Sequence, residues 1–373
     1  MRERAQRSVF RGENVMKVPY TIAFACLATA LAGCLSGATP VALPLAHSAN
    51  PVAFHNQTRS RGWMLPDAKS MDLLYVSNDD QLLVFSYPKG KLVGEVTVPS
   101  GDFAGLCSDG AGDVFVTSEG SGFQGYILEY AHGGTQPIST LDDPGLPWGC
   151  AVDPTTGNVA VTNVSADYPP YYHGDVVVFP SGQGPLAEYS DPNIPFFLFC
   201  SYDATGDLLA DGYDSSSDGI AELPAGGQSL NDIALDQSIG PSSIQWVDAY
   251  QAFVVADNSG GPRGSNYIYQ LQISGSLGTV SGPTILKTER HRSSRGVQFW
   301  TGDGKIIGPG LVRGNVPGLL LFWGYPKGGR PTKVIDRPDG ALDLFGVTVS
   351  RAGARSTGAR GVVGDARGLE GQR

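Results

Sequence analysis

The chain repeats one turn-forming pattern six times, and this repeat constrains the fold more than any other feature. Each copy follows a short apolar run and closes on Gly, as in Tyr87–Gly90 and Phe179–Gly182. The copies begin at Tyr87, Tyr130, Phe179, Leu223, Gln272 and Tyr325, the fifth being the weakest match. Successive starts are 43, 49, 44, 49 and 53 residues apart. A period of about 40 to 50 residues is typical of the blades of a β-propeller.

Each repeat contains several short strand-like segments. An apolar run that ends near Asp opens the unit, as in Gly149–Asp153 and Phe199–Asp203. A turn and a β-branched run such as Val159–Thr162 come next, and a third run such as Val176–Phe179 precedes the turn described above. Short strands at regular spacing predict an all-β fold. We therefore expect a single β-propeller of about six four-stranded blades over residues 70–350.

The two ends of the repeat region predict how the ring closes. The first unit starts at Leu73–Val76 and lacks the opening strand that the other units have, whereas Leu344–Val349 supplies such a strand at the far end. Pairing of these segments would leave no open sheet edge. Because each blade buries its apolar face on a neighbour, we expect the closed ring to be the stable form.

Composition agrees with many strands and turns. The chain has 51 Gly and 26 Pro, which interrupt helices, but 41% of its residues are hydrophobic, enough for a core. The formal net charge of −10 argues against a nucleic-acid partner, because binding to phosphates depends on Lys and Arg.

The N-terminal region predicts export. An apolar run, Val18–Leu31, follows Lys17 and has the size of a signal-peptide core. It leads into Leu31–Cys34, which resembles the lipobox of bacterial lipoproteins. The resemblance implies cleavage before Cys34 and attachment of lipid to its thiol, which would anchor the protein to a membrane. The alternative is an ordinary cleaved signal peptide with a chance Cys.

These features divide the chain into four segments. We expect a signal peptide with lipobox over 1–33, a lipidated Cys and flexible tether over 34–69, the propeller over 70–350, and a disordered tail over 351–373. Met16 is the more natural start of translation than Met1. The predicted location is the bacterial cell envelope, at the periplasmic face or the cell surface, and the predicted state is a monomer.

Two strand segments carry a family resemblance. Leu74–Asn78 and Val255–Asn258 resemble strings of the NHL-repeat and SMP-30 (gluconolactonase-like) superfamily of six-bladed propellers. The resemblance implies the fold and, as an alternative function, a metal-dependent lactonase, hydrolase or lyase. The enzymes of this family place a Glu near the start of the domain, and no Glu occurs near Leu73–Asp80.

Candidate ligand-binding residues cluster where second strands end and where blades join. The most distinctive segment is Asp167–His173, which we call the aromatic loop. Aromatic faces stack on sugar rings or on peptide side chains. The alternative is that this loop packs on its own blade. The candidates are Trp148, Asn163, Asp167, Tyr168, Tyr171, Tyr172, His173, Phe196, Phe197, Asp257 and Asn258.

One further segment resembles a short calcium loop. Asp214, Ser216 and Asp218 place oxygen atoms at alternate positions before Gly219, and such oxygens are ligands for Ca²⁺. The residue at the twelfth position is Ala225 rather than Glu, and Glu222 is a possible substitute. The alternative is a solvated hairpin loop.

Three cysteines remain after Cys26 in the signal and Cys34 at the lipobox. Cys107, Cys150 and Cys200 lie in apolar strand-like segments, which predicts buried free thiols. Export to an oxidising compartment allows one disulfide, with Cys150 and Cys200 as the best pair because they hold matching repeat positions.

No catalytic motif stands out. The segment Gly120–Gly125 matches a dinucleotide-binding pattern but lies between strands, and the five His residues show no metal-ligand spacing. We therefore expect a non-enzymatic module that binds a small molecule, a glycan or a protein. The alternatives are the metal-dependent enzyme, with Ca²⁺ as the candidate cofactor, and a structural envelope component.

Overall fold

The computed structural model describes most of the predicted propeller. The residues described are 62–78, 81–97, 103–120, 124–166, 173–182, 187–214, 218–257, 265–287, 297–310, 319–336 and 344–353. They form strands and two 3-10 turns, Ala68–Ser70 and Pro180–Gly182. None of the helical segments in this part of the chain has the length and apolarity of a membrane span.

Six sheets follow one another along the chain, and we call them blades 1 to 6; all their strand pairs are antiparallel except one short parallel pair in blade 5. The first three have the following strands. Blade 1 contains β1 (Trp63–Met64), β2 (Leu73–Asn78), β3 (Gln81–Ser86) and β4 (Leu92–Thr97); blade 2 contains β5 (Phe103–Ser108), β6 (Val114–Glu119), β7 (Gly125–Tyr130) and β8 (Pro137–Asp143); blade 3 contains β9 (Leu146–Val152), β10 (Val159–Ser165), β11 (Val176–Phe179) and β12 (Ala187–Tyr189).

The other three blades repeat this meander. Blade 4 contains β13 (Phe196–Tyr202), β14 (Leu208–Tyr213), β15 (Asp218–Leu223) and β16 (Asn231–Asp232); blade 5 contains β17 (Ala234–Leu235), β18 (Pro241–Val247), β19 (Ala252–Asp257), β20 (Ser265–Ser274) and β21 (Leu277–Lys287); blade 6 contains β22 (Trp300–Gly302), β23 (Lys305–Gly310), β24 (Leu319–Gly324) and β25 (Lys333–Asp336). The prediction of an all-β propeller with six blades is confirmed.

The last strand, β26 (Leu344–Ser350), closes the ring as predicted. It pairs antiparallel with β2, with Leu74 opposite Val349 and Val76 opposite Val347, and is the innermost strand of blade 1. The innermost strands β26, β5, β9, β13, β18 and β22 contact one another in that order, and β22 contacts β26. The chain therefore returns to its own first blade.

The apolar core lies between blades rather than inside them. The buried side chains form six clusters, and each cluster joins residues of two neighbouring blades. Tyr75 and Val84 of blade 1, for example, pack with Leu106 and Val116 of blade 2. Each sheet buries its faces only through its neighbours, which is the physical reason for a closed ring.

The boundaries of the propeller differ from those expected. The tether was predicted to extend to residue 69, but β1 already pairs with β4, with Trp63 opposite Glu95 and Met64 opposite Gly94. At the other end, Arg351 was assigned to the tail, yet its guanidinium forms ion pairs with Asp72 (2.9 Å) and Asp303 (2.7 Å). The remaining residues of 1–61 and 354–373 lie outside the described part.

The disulfide also differs from the predicted one. Cys107 of β5 is bonded to Cys150 of β9, with the Cα atoms 5.6 Å apart, and Cys200 is a buried free thiol. The pair Cys150 and Cys200 was the wrong choice, and two of the three thiols expected to be free are oxidised. Matching repeat positions did not identify the pair. When β5 and β9 are aligned by their pairing with the following strand, Cys107 lies one residue beyond the position that Cys150 occupies.

Candidate functional site

The ring has two faces, which we define by the strand ends. Strands are counted outward from the innermost strand of each blade. At the upper face the second strand ends and the third begins; at the lower face the innermost strand ends and the second begins. Asp143, Trp148, Asn163, Phe196 and Asp257 all lie at or near the upper ends of their strands. The expectation that these regions share one face follows from the observed topology.

The aromatic loop is only partly described. His173 is exposed and comes just before β11, while Asp167, Tyr168, Tyr171 and Tyr172 lie outside the described residues, as does Asn258. Asn163, near the end of β10, and Asp175, at the start of β11, bracket this connection. The structure thus fixes where the loop leaves and re-enters blade 3.

Asn163 belongs to a buried polar cluster with Asp143 and Asp175. Its Nδ2 donates a hydrogen bond of 2.8 Å to Oδ1 of Asp175, and all three side chains are buried. Asp143, at the end of β8, accepts a hydrogen bond of 2.8 Å from the backbone N of Gly145. A Cβ atom at Gly145 would lie 2.7 Å from Cγ of Asn163, so this Gly allows the close approach of two blades.

The electrostatics of this cluster favour a protonated carboxyl. Burial raises the pKa of Asp143 to about 7, the hydrogen bond from Gly145 lowers it, and the nearby Asp175 raises it further. Removing a carboxylate from water disfavours its charged form. Near neutral pH, both the protonated and the ionised form of Asp143 are therefore populated.

Asp211 in β14 is a second buried carboxyl near this face. Its Oδ1 accepts a hydrogen bond of 2.7 Å from the backbone N of Phe199, and its side chain has no exposed surface. Burial raises the pKa of Asp211 to about 8, although the bond from Phe199 lowers it.

Several buried polar atoms in this region have no hydrogen-bond partner within the described part of the chain. They are Oδ2 of Asp143, Nε1 of Trp148, Oδ1 of Asn163 and Oδ2 of Asp211. The fifth such atom, the hydroxyl of Tyr130, lies at the lower end of β7. A buried polar atom without a partner costs roughly 1–3 kcal/mol. Four of the five unpartnered atoms, and the free-energy cost that goes with them, therefore lie in the upper part of blades 2 to 4.

The aromatic candidates separate into two groups. Phe196 is partly exposed and stacks on Tyr213, with ring centroids 5.2 Å apart and an interplanar angle of 20°. Phe197 has no exposed surface and packs in the core between blades 3 and 4. It therefore does not face the solvent, contrary to the prediction that it binds a ligand. Trp148 is partly buried against the core between blades 4 and 5.

The other predicted oxygen ligands are dispersed. Oδ1 of Asp257 accepts a hydrogen bond of 3.0 Å from the backbone N of Gly240. Asp214 and Asp218 flank the β14–β15 connection, and Ser216 between them lies outside the described residues. Among the residues described, no three His, Cys, Asp or Glu side chains are grouped to hold a metal ion.

Sequence reasoning missed Asp143, Asp175 and Tyr213 as members of this region. Both Asp residues stand at strand boundaries, directly before Pro144-Gly145 and Val176. An Asp in such a position is ordinarily interpreted as a turn residue. Their common location depends on the pairing of blades 2 and 3, which no local pattern indicates.

The six blades and their closure into a ring define the chain as a six-bladed β-propeller, and comparison with solved structures agrees. It is similar to a chain of a nidogen/laminin complex (TM-score 0.57, 12% identity, covering 75% of this chain and 99% of that one). It is also similar to a protein of unknown function from Bacteroides caccae (TM-score 0.55, 14% identity, 76% and 100%). A third similar structure is TolB from Acinetobacter baumannii (TM-score 0.52, 12% identity, 77% and 68%).

These likenesses show the fold alone. No protein-family model matches the chain, and no curated protein matches it.

Proposed function

We propose that this protein is an exported, lipid-anchored propeller that binds a ligand at the upper face, in the sector of blades 2 to 4. The observation that carries the proposal is the set of four unpartnered buried polar atoms beside a partly exposed aromatic stack. A fold that served only its own stability would pair such atoms or replace them with apolar groups. Their concentration in one sector supports a binding role.

The chemistry of the sector favours a ligand with both a flat face and hydrogen-bonding groups. Phe196 and Tyr213 offer ring surface, and His173 adds an exposed imidazole. Sugar rings and the side chains of peptides combine such features. The similar chain from the nidogen/laminin complex was crystallised with a protein partner, and the same fold in this chain is compatible with a protein ligand.

The anchor and the family are parts of the same proposal. The sequence Leu31–Cys34 supports lipidation of Cys34 and attachment to the cell envelope, and the strand sequences support a relation to NHL-repeat propellers. Metabolic labelling with a fatty acid tests the first: a Cys34→Ser variant should lose the label and leave the membrane fraction. A variant that stays labelled and membrane-bound contradicts lipidation at Cys34.

Ligand binding is tested on glycan and peptide arrays with the purified protein. We expect a Tyr171→Ala, Tyr172→Ala variant and a Phe196→Ala variant to lose at least tenfold of the array signal. The unfolding temperature of the double variant should stay within a few degrees of the wild type, since the described pairing of β10 with β11 joins Val159–Thr162 to Val176–Phe179. Trp63→Ala, which removes an exposed aromatic from the outer edge of blade 1, is the matched control.

Two results would oppose the proposal. Equal loss of binding and stability in the Tyr variants would mean that the loop packs on its own blade. Retention of one divalent metal ion per chain, together with hydrolysis of a lactone, would favour the enzymatic alternative.

A further inference from the structure

A cleft lies on the lower face, between blades 4 and 5. Its volume is about 570 Å³, which is within the range that holds small ligands. None of the upper-face candidates lines it. Its principal walls are Asp203, Asp207, Glu222, Trp246, Phe253 and Gln272.

The outer wall comes from an unusual hairpin. Strands β20 and β21 have 10 and 11 residues, longer than any other strand described, and their tip at Gln272–Gly275 lines the cleft. The short outer strand of blade 5 reinforces this hairpin, because β17 pairs with β21 in parallel, with Ala234 opposite Leu277. The cleft therefore has a wall that the other blades lack.

Trp246 is held rigidly on the inner side. Its Nε1 donates a hydrogen bond of 2.7 Å to Oδ1 of Asp248, and its backbone N donates one of 2.8 Å to Oγ of Ser201. Its ring meets that of Phe253 edge to face, with centroids 5.0 Å apart. The indole is thus fixed from two directions, and it lines the cleft without needing to be ordered by a ligand.

Two carboxylates are fixed by the β13–β14 turn. Oδ1 of Asp203 accepts hydrogen bonds from the backbone N of Thr205 (2.8 Å) and of Asp207 (3.0 Å). Oδ1 of Asp207 accepts one of 2.7 Å from the backbone N of Ala225. Their positions are therefore set by the backbone and do not require a ligand.

Glu222 completes the negative wall and is the feature that turn geometry does not explain. Its side chain is partly buried and forms neither a hydrogen bond nor an ion pair with any described residue. Burial raises the pKa of Glu222, and the charges of Asp207 and Asp203 raise it further. None of the residues that line the cleft is Lys, Arg or His. No basic side chain of the described lining therefore offsets the negative charge.

These features specify the chemistry of an occupant. The three carboxyl groups do not converge closely enough to hold a metal ion, and the cleft is far larger than one ion. A cation over the face of Trp is stabilised by the ring quadrupole, more strongly where water is displaced. We propose that this cleft binds an alkylammonium or guanidinium group, presented by a free amine or by a basic polypeptide side chain.

Calorimetric titration of the purified protein with spermidine, agmatine and a tetralysine peptide tests the proposal. We expect at least one of these probes to bind with one site per chain, and the affinity to fall with added salt. Glu222→Gln and Trp246→Leu should each weaken binding at least tenfold. Binding of spermidine or agmatine identifies a free amine as sufficient, whereas binding of tetralysine alone assigns the source to a polypeptide.

Two controls keep the test decisive. Asp336→Asn removes one negative charge from the exposed outer strand of blade 6 and should leave the affinity unchanged. Gln272→Lys places a positive charge on the exposed rim and should abolish binding even if Glu222→Gln fails to fold. Equal affinities in all four variants, or no binding of any probe to the wild type, would overturn the proposal.

Discussion

One position in the second strand of blades 1 to 4 carries a side chain that ties it to an innermost strand. Ser77 accepts a hydrogen bond from the backbone N of Gly346, Thr117 from Gly105, Thr162 from Gly149 and Asp211 from Phe199. The two Thr hydroxyls also donate to the next blade, to the carbonyl oxygens of Trp148 (2.8 Å) and Leu198 (2.7 Å). A hydroxyl both donates and accepts, whereas an ionised carboxylate only accepts. At Asp211, burial favours the protonated form of the carboxyl and raises its pKa.

This difference makes the free energy of unfolding depend on pH. The pKa of Asp211 is raised to about 8 in the folded state from an ordinary value of 3.8. The folded state therefore binds the proton more tightly, and its contribution to stability is complete below about pH 4 and lost as the pH rises through 8. We expect Asp211→Asn to be more stable than the wild type at pH 9, by roughly 1–3 kcal/mol, because an amide removes the buried charge.

Urea unfolding of wild type and Asp211→Asn between pH 5 and pH 9 measures the effect. The exposed Asp142→Asn, which removes a charge from β8, should follow the wild-type pH profile. A wild type whose stability relative to Asp211→Asn is the same at both pH values would show that Asp211 is ionised throughout.

At the scale of the strands, side chains join blades at points where backbone pairing stops. Gln298, just before blade 6, accepts a hydrogen bond from the backbone N of Leu106 (3.0 Å) and donates one to its carbonyl oxygen (2.7 Å). Its Oε1 also accepts from the backbone N of Val347 (3.2 Å). Gln245 makes the same two-way contact with Thr301. These amides extend the hydrogen bonding between innermost strands of different blades.

The disulfide is the covalent counterpart of these contacts, since it joins β5 to β9. Cys107 and Cys150 are 43 positions apart in the sequence, and closure of this loop is worth about 4 kcal/mol in the chain-entropy account. We expect Cys107→Ser, Cys150→Ser to lower the free energy of unfolding by up to this amount. Cys200→Ala, which alters a buried thiol outside the bridge, should cost less.

Peptide mapping without reduction checks the pairing directly. The expected products are one linked peptide pair with Cys107 and Cys150 and one alkylated peptide with Cys200. A linked pair with Cys150 and Cys200 would contradict the assignment.

The strands were predictable because their signals are local. A β-branched run such as Val159–Thr162 between turn residues indicates a strand without knowledge of the rest of the chain. The polar cluster of Asp143, Asn163 and Asp175 could not be predicted in the same way, because two blades contribute to it. The lower-face cleft was hidden for a similar reason: its Asp and Glu residues are indistinguishable in sequence from ordinary surface charges.

For the whole molecule, the apolar core resides in the six clusters between blades, and the closing strand contributes to the cluster between blades 6 and 1. Strand β26 supplies Leu344, Val347 and Val349 to the cluster between blades 6 and 1. On the blade 2 side, Oγ of Ser108 donates to the carbonyl oxygen of Val349 (3.1 Å). Arg351 then links Asp72 of blade 1 to Asp303 of blade 6 on the lower face.

Removal of the closing strand should therefore affect the entire ring. We expect a chain that lacks Leu344–Ser350 to lose its cooperative thermal transition and its near-ultraviolet circular dichroism, because blades 1 and 6 lose their shared core. A chain that ends at Gly353 retains every described contact and should unfold at the wild-type temperature. An unchanged transition in the first variant would disprove closure by this strand.

The two ends of the described chain enter opposite edges of one sheet, whose strand order is β1-β4-β3-β2-β26. A pulling force transmitted through residue 62 would thus act first on the two-residue pairing of β1, at the rim. Those few hydrogen bonds would break one at a time, while the pairing of β2 with β26 that closes the ring would not bear the force. A protein pulled from its N-terminal side would lose the outer strand β1 first and keep its ring closed.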